Sequence, residues 1–162
     1  MTETKINHPS APLRKFEDLT VGERRQSRTK TVTLEEMLAF ARVYDPQWFH
    51  ADAELAKESA FGEVIASGIH VLAMWRQLDH EINSDIDFVC GVGWDELRLH
   101  RAIRAGDVIH ATSEIVSLRP SRTKPDRGIA ITRYAVVTED GTEAVSFLST
   151  NLVYTRAHQK AR

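Results

Sequence analysis

The segment 44–52 places an acid and a base close together in a chain of 162 residues. It reads Tyr-Asp-Pro-Gln-Trp-Phe-His-Ala-Asp, so that Asp45 precedes His50 by five positions. A carboxylate and an imidazole in different environments are what proton transfer requires. The aromatic residues Trp48 and Phe49 can form a dry wall, which strengthens electrostatic interactions and can raise a carboxylate pKa. The spacing alone also fits a structural role, in which the aspartate caps a turn and the histidine lies in a loop.

A second candidate feature is the helix start at residues 65–70, which reads Ile-Ala-Ser-Gly-Ile-His. Ser67 and Gly68 are both favoured at a helix N-cap, where free amides and a partial positive charge accumulate. Because glycine lets a ligand approach the backbone, Gly68 can present its amide to an oxyanion. His70 can line a pocket, although such histidines are more often satisfied core residues. Ser67 and Gly68 also fit a plain capping role.

Capping signals predict the helix that leads to the acid–base segment. Thr33 and Glu36 have the spacing of a capping box, in which each side chain bonds the backbone amide of the other. The apolar periodicity that follows predicts a helix over Leu34–Tyr44. The helix must end at Asp45-Pro46, because a residue before proline is steered away from helical angles. The acid–base segment is therefore expected on irregular chain between two helices.

Two further helices are predicted after this segment. Asp52 is expected to cap a short helix over residues 53–59. The segment Ser67–Leu78 is apolar around nearly its whole circumference, and a helix of this kind is normally buried.

The second half of the chain has the alternation of β-strands. An edge strand is also expected within residues 23–33, whose charges would discourage edge-to-edge pairing. Glu139-Asp140-Gly141 is the strongest hairpin signal in the sequence. The four long strands are predicted at Phe88–Leu99, Val108–Leu118, Ile129–Thr138 and Ala144–Tyr154. Early helices and late strands predict an α+β fold, with a strongly curved antiparallel sheet wrapped around the Ser67–Leu78 helix.

Composition narrows the class of protein and of site. A formal net charge of -2 argues against a general nucleic-acid binder, which needs a basic excess. Cys90 is the single cysteine, so the chain has no internal disulfide and no thiolate-rich zinc site, and we expect a cytoplasmic location. The seven histidines show no helical ligand spacing, so no metal is expected. No membrane segment or signal peptide is recognised, and no membrane partner is expected.

The stretch Phe40–Leu78 resembles the hydratase motif of MaoC-like dehydratases, also called (R)-specific enoyl-CoA hydratases. That motif reads D-x-N-P-x-H-x-D, followed by a Phe/Gly turn and a helix that opens with His-Gly or Ser-Gly. The later segments GVGWDELRLHRAIRAGDVI and LRPSRTKPDRGI also resemble strands of the family's single-domain members. The resemblance implies a hot-dog fold, a curved antiparallel sheet around a long buried helix, over residues 16–156. Residues 1–15 would be a polar arm and residues 157–162 a polar tail.

The resemblance also implies a reaction. Asp45 and His50 match the catalytic pair, and Gly68 matches the glycine whose amide stabilises an oxyanion. The implied activity is the reversible addition of water to an α,β-unsaturated acyl thioester, from enoyl-CoA to 3-hydroxyacyl-CoA. No separate cofactor is expected, because coenzyme A enters as part of the substrate.

This sequence departs from the motif at three positions. Gln47 stands where the motif has Asn, and Trp48 where it has Pro. Arg76 stands eight residues beyond Gly68, where some relatives place a serine near the aspartate. A cation beside Asp45 would depress the pKa of that carboxyl, which is awkward for a proton donor.

The loop Arg119–Arg127 carries four cations in nine residues. It can meet the phosphates of a coenzyme A ester at an interface, or it can be an ordinary solvated loop. The residues predicted to bind substrate are therefore Gln47, Trp48, Phe49, Ser67, His70, Arg122 and Lys124.

The resemblance implies a homodimer, and perhaps a higher assembly, since family members of this length usually pair their sheets edge to edge. Two alternatives to a hydratase stay open, a hot-dog acyl-CoA thioesterase and a non-catalytic acyl-CoA-binding protein.

Overall fold

Six antiparallel strands form one sheet in the computed structural model, which describes residues 12–158. The sheet order is β1-β4-β5-β6-β3, and β2 also pairs with β4. The predicted α+β class and curved antiparallel sheet are confirmed. The strands are β1 Arg24–Gln26, β2 Lys30–Thr31, β3 Phe88–Leu99, β4 Val108–Pro120, β5 Arg127–Thr138 and β6 Glu143–Tyr154.

The four long strands were predicted to within two residues at each end. The hairpin between β5 and β6 follows the sequence signal closely. Gly141 adopts a positive φ of 85°, and the Asp140 carboxylate accepts hydrogen bonds from the Thr138 hydroxyl and the Thr142 amide. These bonds lower the pKa of Asp140 to about 2.

The predicted edge strand of residues 23–33 is split into β1 and β2. Ser27 lies between them, and its backbone amide donates to the Ala111 carbonyl while its hydroxyl accepts from the Ala111 amide. Because this side chain replaces a backbone partner, the strand breaks there and resumes at Lys30.

The first helix, α1, spans Leu34–Tyr44 as predicted. Its capping box is formed: the Glu36 amide donates to the Thr33 hydroxyl, and the Thr33 amide donates to the Glu36 carboxylate, both at 3.2 Å. The helix ends at Asp45, as the following proline requires.

The long helix, α3, spans Gly68–Asn83 and packs against the sheet. Val71, Met74, Trp75 and Leu78 are buried in one core with Tyr134, Val136 and Phe147 of the sheet. The predicted end at Leu78 was wrong by five residues. Asp79 and Asn83 are polar but buried, and their mutual hydrogen bond of 2.7 Å lets the helix continue.

The helix is buried against the sheet as predicted, but not around its whole circumference. One face, which includes Ile69, Ala73, Arg76 and Gln77, is exposed. This face contains both apolar and polar residues, so the apolar count alone did not reveal it.

Two single turns connect α1 with α3. Trp48–Ala51 forms one helical turn, α2, where irregular chain was expected. The helix predicted over residues 53–59 is only a 3-10 turn at Leu55–Glu58. The Asp52 carboxylate does cap it, by accepting from the amides of Glu54 and Leu55. A turn around Gly62, whose φ is 71°, then ends the segment.

Residues 1–11 of the predicted arm and residues 159–162 of the predicted tail lie outside the described residues. The amides of Leu13 and Arg14 donate to the Asp85 carbonyl, so this part of the chain is bonded to the loop after α3. Within residues 12–158, no helix is long and apolar enough to cross a membrane.

Candidate active site

Asp45 is held by two side-chain hydrogen bonds at the end of α1. The Ser67 hydroxyl donates to Oδ2 at 2.6 Å, and the Gln47 amide nitrogen donates to Oδ1 at 2.9 Å. These two bonds lower the pKa of Asp45. They therefore favour the ionised carboxylate, which is the form that can accept a proton.

His50 lies on α2 and is buried. Its Nδ1 lies 2.7 Å from the Ile65 carbonyl oxygen. Because a carbonyl only accepts, Nδ1 carries the proton and Nε2 of the neutral ring has a free lone pair. This tautomer is assigned from the hydrogen-bond partner.

The two candidate catalytic groups face each other across a gap. His50 Nε2 lies 3.8 Å from Asp45 Oδ2, which is too long for a direct hydrogen bond. One water can donate to both acceptors at this separation, since each such bond is about 2.8 Å long. The arrangement can therefore bind a water molecule and accept its proton.

Aromatic rings surround this pair on one side. The ring centroids of Phe49 and His50 are 4.4 Å apart, and Trp48 meets Phe49 edge-on at 5.4 Å. Phe61 lies 6.2 Å from Phe49. Phe49 is thus the ring that packs against His50, whereas Trp48 and Phe61 pack on Phe49 and are themselves partly exposed.

The start of α3 leaves backbone amides open beside Asp45. Ser67 occupies the N-cap position, but its hydroxyl donates to Asp45 and does not cap the helix. The amides of Gly68, Ile69 and His70 belong to the first turn and have no carbonyl partner within the helix. Together with the positive end of the helix dipole, these donors can stabilise an oxyanion.

Gly68 packs closely against a side chain of β3 at this helix start. A Cβ built on Gly68 would lie 2.8 Å from Cδ1 of Leu99, at the end of β3. A larger residue would have to displace the tip of this leucine side chain. The oxyanion role of Gly68 stays a prediction, for which the missing side chain allows close approach to the backbone.

A family model, the MaoC like domain, matches residues 15–139 of this chain. The chain belongs to this family. The MaoC-like domain is also similar to the crystal structure of a MaoC-like dehydratase from Rhodospirillum rubrum. The TM-score is 0.82 and the identity 30%, and the match covers 90% of this chain and 99% of that chain.

Two further proteins are similar to this chain, one in sequence and one in fold. The 3-hydroxyacyl-thioester dehydratase Z of Mycobacterium tuberculosis is 32% identical over 96 residues, which cover 57% of this chain and 64% of that protein. Another protein of Mycobacterium tuberculosis, described as having a double hot-dog fold, matches with a TM-score of 0.76 at 18% identity. That match covers 93% of this chain and 47% of the other. The hot-dog fold expected from the resemblance is thus confirmed.

Arg76 of the MaoC-like domain does not approach Asp45. Its Nη1 donates to Asp79 at 2.6 Å, one helical turn further along α3. The expected interference with the Asp45 carboxyl was therefore wrong. The hydrogen-bonding partner of Asp45 at this helix is Ser67.

The remaining predicted residues lie further from the pair. His70 stacks on Phe40 of α1, with ring centroids 4.5 Å apart, and burial lowers the pKa of this imidazole. Arg122 and Lys124 lie in the loop between β4 and β5. β4 starts near α1, where Val108 pairs with Thr31, and runs about 40 Å to Pro120. Within a single chain, the basic loop therefore lies far from the Asp45–His50 pair.

Sequence reasoning missed two interactions of the site. The Ile65 carbonyl that fixes His50 is a backbone group, which every residue type has, so the sequence gives no signal for it. Ser67 was predicted as a cap or a substrate contact, whereas it holds Asp45. The 22 residues that separate Ser67 from Asp45 give no sequence signal for this bond. Within the described chain, no three His, Cys, Asp or Glu side chains form a potential metal site.

Proposed function

We propose that this protein adds water reversibly to an α,β-unsaturated acyl thioester, converting an enoyl-CoA into a 3-hydroxyacyl-CoA. The observation that carries the proposal is the arrangement of Asp45 and His50 beside the open start of α3. The name of the mycobacterial dehydratase supports the same substrate class.

In the proposed mechanism, the water donates one hydrogen to Asp45 and the other to Nε2 of His50. Its oxygen attacks C3 of the acyl group while the proton passes to one of these two bases. The base then returns a proton to C2, so that one water is added in total. Dehydration follows the same steps in reverse.

The helix start has the second role in this mechanism. Attack at C3 moves negative charge to the thioester oxygen, which becomes enolate-like. The Gly68 amide donates to this oxygen, and the dipole of α3 favours the negative charge. Ser67 holds the Asp45 carboxylate next to the same amide.

The proposal is tested with crotonyl-CoA, by following the loss of enoyl absorbance. His50→Gln is expected to lower kcat about 100- to 10,000-fold, because the general base is removed. His100→Gln is the matched control, since His100 is exposed and its Nε2 lies 2.8 Å from the Ser146 hydroxyl, away from Asp45. Full activity of His50→Gln would contradict the assignment.

A thiol reagent in the same assay separates the two alternatives. A thioesterase releases free coenzyme A, whereas a hydratase does not. A non-catalytic protein binds the ester and changes neither signal.

We also propose a homodimer that pairs along β3. This strand lies at the edge of the sheet with β6 as its one partner, and Val92, Trp94 and Leu99 on it are about half exposed. An unpaired edge with apolar side chains is a template for another strand. Light scattering is expected to give a dimer, and a monomer would contradict this pairing.

Antiparallel pairing of two β3 strands would bring the basic loop of one copy to the same end as the Asp45–His50 pair of the other. Arg122 and Lys124 would then bind the phosphates of the coenzyme A ester. The combined change Arg122→Ala and Lys124→Ala is expected to weaken ester binding and its salt dependence. Arg24→Ala with Arg28→Ala removes two exposed cations elsewhere and is the control.

A further inference from the structure

A second polar cluster lies in the C-terminal half of α3, away from Asp45 and His50. Asp79 is 1% exposed, and its two oxygens accept from Arg76 at 2.6 Å and from Asn83 at 2.7 Å. Asn83 also donates to the Ser113 hydroxyl at 3.2 Å. The proposed hydration uses none of these groups, so their position requires another explanation.

Arg76 is fixed on one side and open on the other. Its side chain is 60% exposed, and its guanidinium carbon lies 5.9 Å from the Trp75 ring centroid. Among residues 12–158, Asp79 is the one hydrogen-bond partner of the Arg76 guanidinium, and it binds Nη1. A guanidinium has five donors, so the Nε and Nη2 groups can bind a second carboxylate while Asp79 holds the first.

The open side of Arg76 borders a cavity between α3 and the edge strand β3. The cavity has a volume of about 350 Å³, and its lining includes Trp75, Arg76, Trp94 and Asn151. The lining thus combines aromatic rings with the polar side chains of Arg76 and Asn151, as in sites that bind a mostly apolar ligand with a polar end.

The cavity and the candidate oxyanion site lie at opposite ends of the contact between α3 and β3. β3 runs antiparallel to α3, because Leu99 approaches Gly68 while Phe88 borders the same cavities as Arg76. Arg76 lies eight residues along the helix from Gly68, which corresponds to a rise of about 12 Å. The Trp75 and Trp94 rings, 5.7 Å apart, lie between these two ends.

We infer that this cavity receives the acyl group and that Arg76 selects an acyl chain that ends in a carboxylate. This inference rests on the proposed hydration, because the thioester must be held at Gly68. The distance to Arg76 fits a chain of medium length, with the thioester at one end and the carboxylate at the other. Asp79 acts as a positioning residue, since it holds the guanidinium at the cavity.

The test uses 2-enoyl-CoA esters of six, eight and ten carbons in matched pairs that end in a methyl group or a carboxylate. The protein is expected to have a kcat/KM at least about 10-fold higher for the carboxylate member of one pair, the gain of a charge-assisted hydrogen bond. Arg76→Met is expected to remove this preference, and Arg76→Lys to keep part of it. Arg28→Met is the control, because Arg28 is equally exposed and pairs with Glu81 of the same helix.

A binding measurement distinguishes failure of this inference from failure of the proposed function. Calorimetry with the unreactive esters adipyl-CoA and hexanoyl-CoA needs no turnover. Tighter binding of adipyl-CoA than of hexanoyl-CoA, without hydration of any enoyl ester, would support the acyl site and contradict the proposed hydratase activity. Hydration of crotonyl-CoA with a methyl preference in every pair would overturn the role of Arg76.

Arg76→Met leaves the buried Asp79 without its cation and can therefore unfold. The double variant Arg76→Met with Asp79→Asn avoids this charge, and it is expected to lose the carboxylate preference as well. A double variant that keeps the preference would also overturn the inference. If neither variant folds, the preference of the unaltered protein within the matched pairs still decides between these outcomes.

Discussion

Two aspartates beside the same helix have opposite electrostatic environments. Asp45, next to the start of α3, is partly exposed, and hydrogen bonds from Ser67 and Gln47 lower its pKa. Asp79, two-thirds along the helix, is buried, and loss of solvation raises its pKa although Asn83 and Arg76 oppose the shift. The same residue type thus has two roles. Asp45 is a proton acceptor in contact with solvent, and Asp79 is a buried partner that holds a cation.

The comparison predicts different consequences when each carboxylate is removed. Asp45→Asn is expected to lower kcat for crotonyl-CoA about 100- to 10,000-fold, because a general base is lost. Steady-state kinetics measure this effect. Asp52→Asn is the control, since that carboxylate caps the neighbouring 3-10 turn without facing His50. Equal losses in both variants would mean that Asp45 has only a structural role.

Asp79→Ala is expected to act on stability. The substitution leaves the Asn83 amide with a single partner and opens a small cavity, which costs about 1–3 kcal/mol of unfolding free energy. Urea unfolding monitored by circular dichroism measures the change. Glu81→Ala on the exposed side of the same helix is the control. An unfolding free energy equal to that of the unaltered protein would show that the hydrogen bonds of Asp79 do not stabilise the fold.

Ser67→Ala should have a smaller and more specific effect. Loss of the 2.6 Å hydrogen bond is expected to lower kcat about 10-fold and to raise the pKa of Asp45. The acidic limb of the pH–rate profile would then move to higher pH. Ser59→Ala, whose hydroxyl bonds the Ala56 carbonyl, leaves this limb unchanged. An unshifted limb in Ser67→Ala would contradict the control of Asp45 by Ser67.

The two carboxylates should also give opposite contributions to the pH dependence of stability. A lowered pKa means that unfolded Asp45 binds more protons, so its contribution is present above the unfolded pKa near 3.9 and is lost as pH falls through the folded pKa. A raised pKa means that folded Asp79 binds more protons, so stability falls as pH rises from about 3.9 through its folded value. Unfolding curves of Asp45→Asn and Asp79→Asn over pH 3–7 test the two signs. If both substitutions changed the pH dependence of the unfolding free energy in the same direction, the opposite contributions of Asp45 and Asp79 would be refuted.

The sequence predicted the local part of this structure well. The capping box of Thr33 and the hairpin at Asp140 depend on neighbours within four residues, and both formed as predicted. Asp45 and His50 are five residues apart, so one segment brings them together.

Interactions between distant residues were harder to predict. The bond from Ser67 to Asp45, the Ile65 carbonyl that orients His50, and the pairing of Arg76 with Asp79 depend on how α1, α2 and α3 pack. Polar residues such as Asp79 and Asn83 suggested the end of the helix, because their burial as a hydrogen-bonded pair is not visible in residue type.

The most direct test of the proposed reaction is the conversion of crotonyl-CoA in water labelled with oxygen-18, followed by mass spectrometry of the products. The proposed mechanism predicts 3-hydroxybutyryl-CoA with one labelled oxygen at C3, no free coenzyme A, and almost no product from Asp45→Asn or His50→Gln. Free coenzyme A with labelled crotonate, or unchanged crotonyl-CoA, would contradict it.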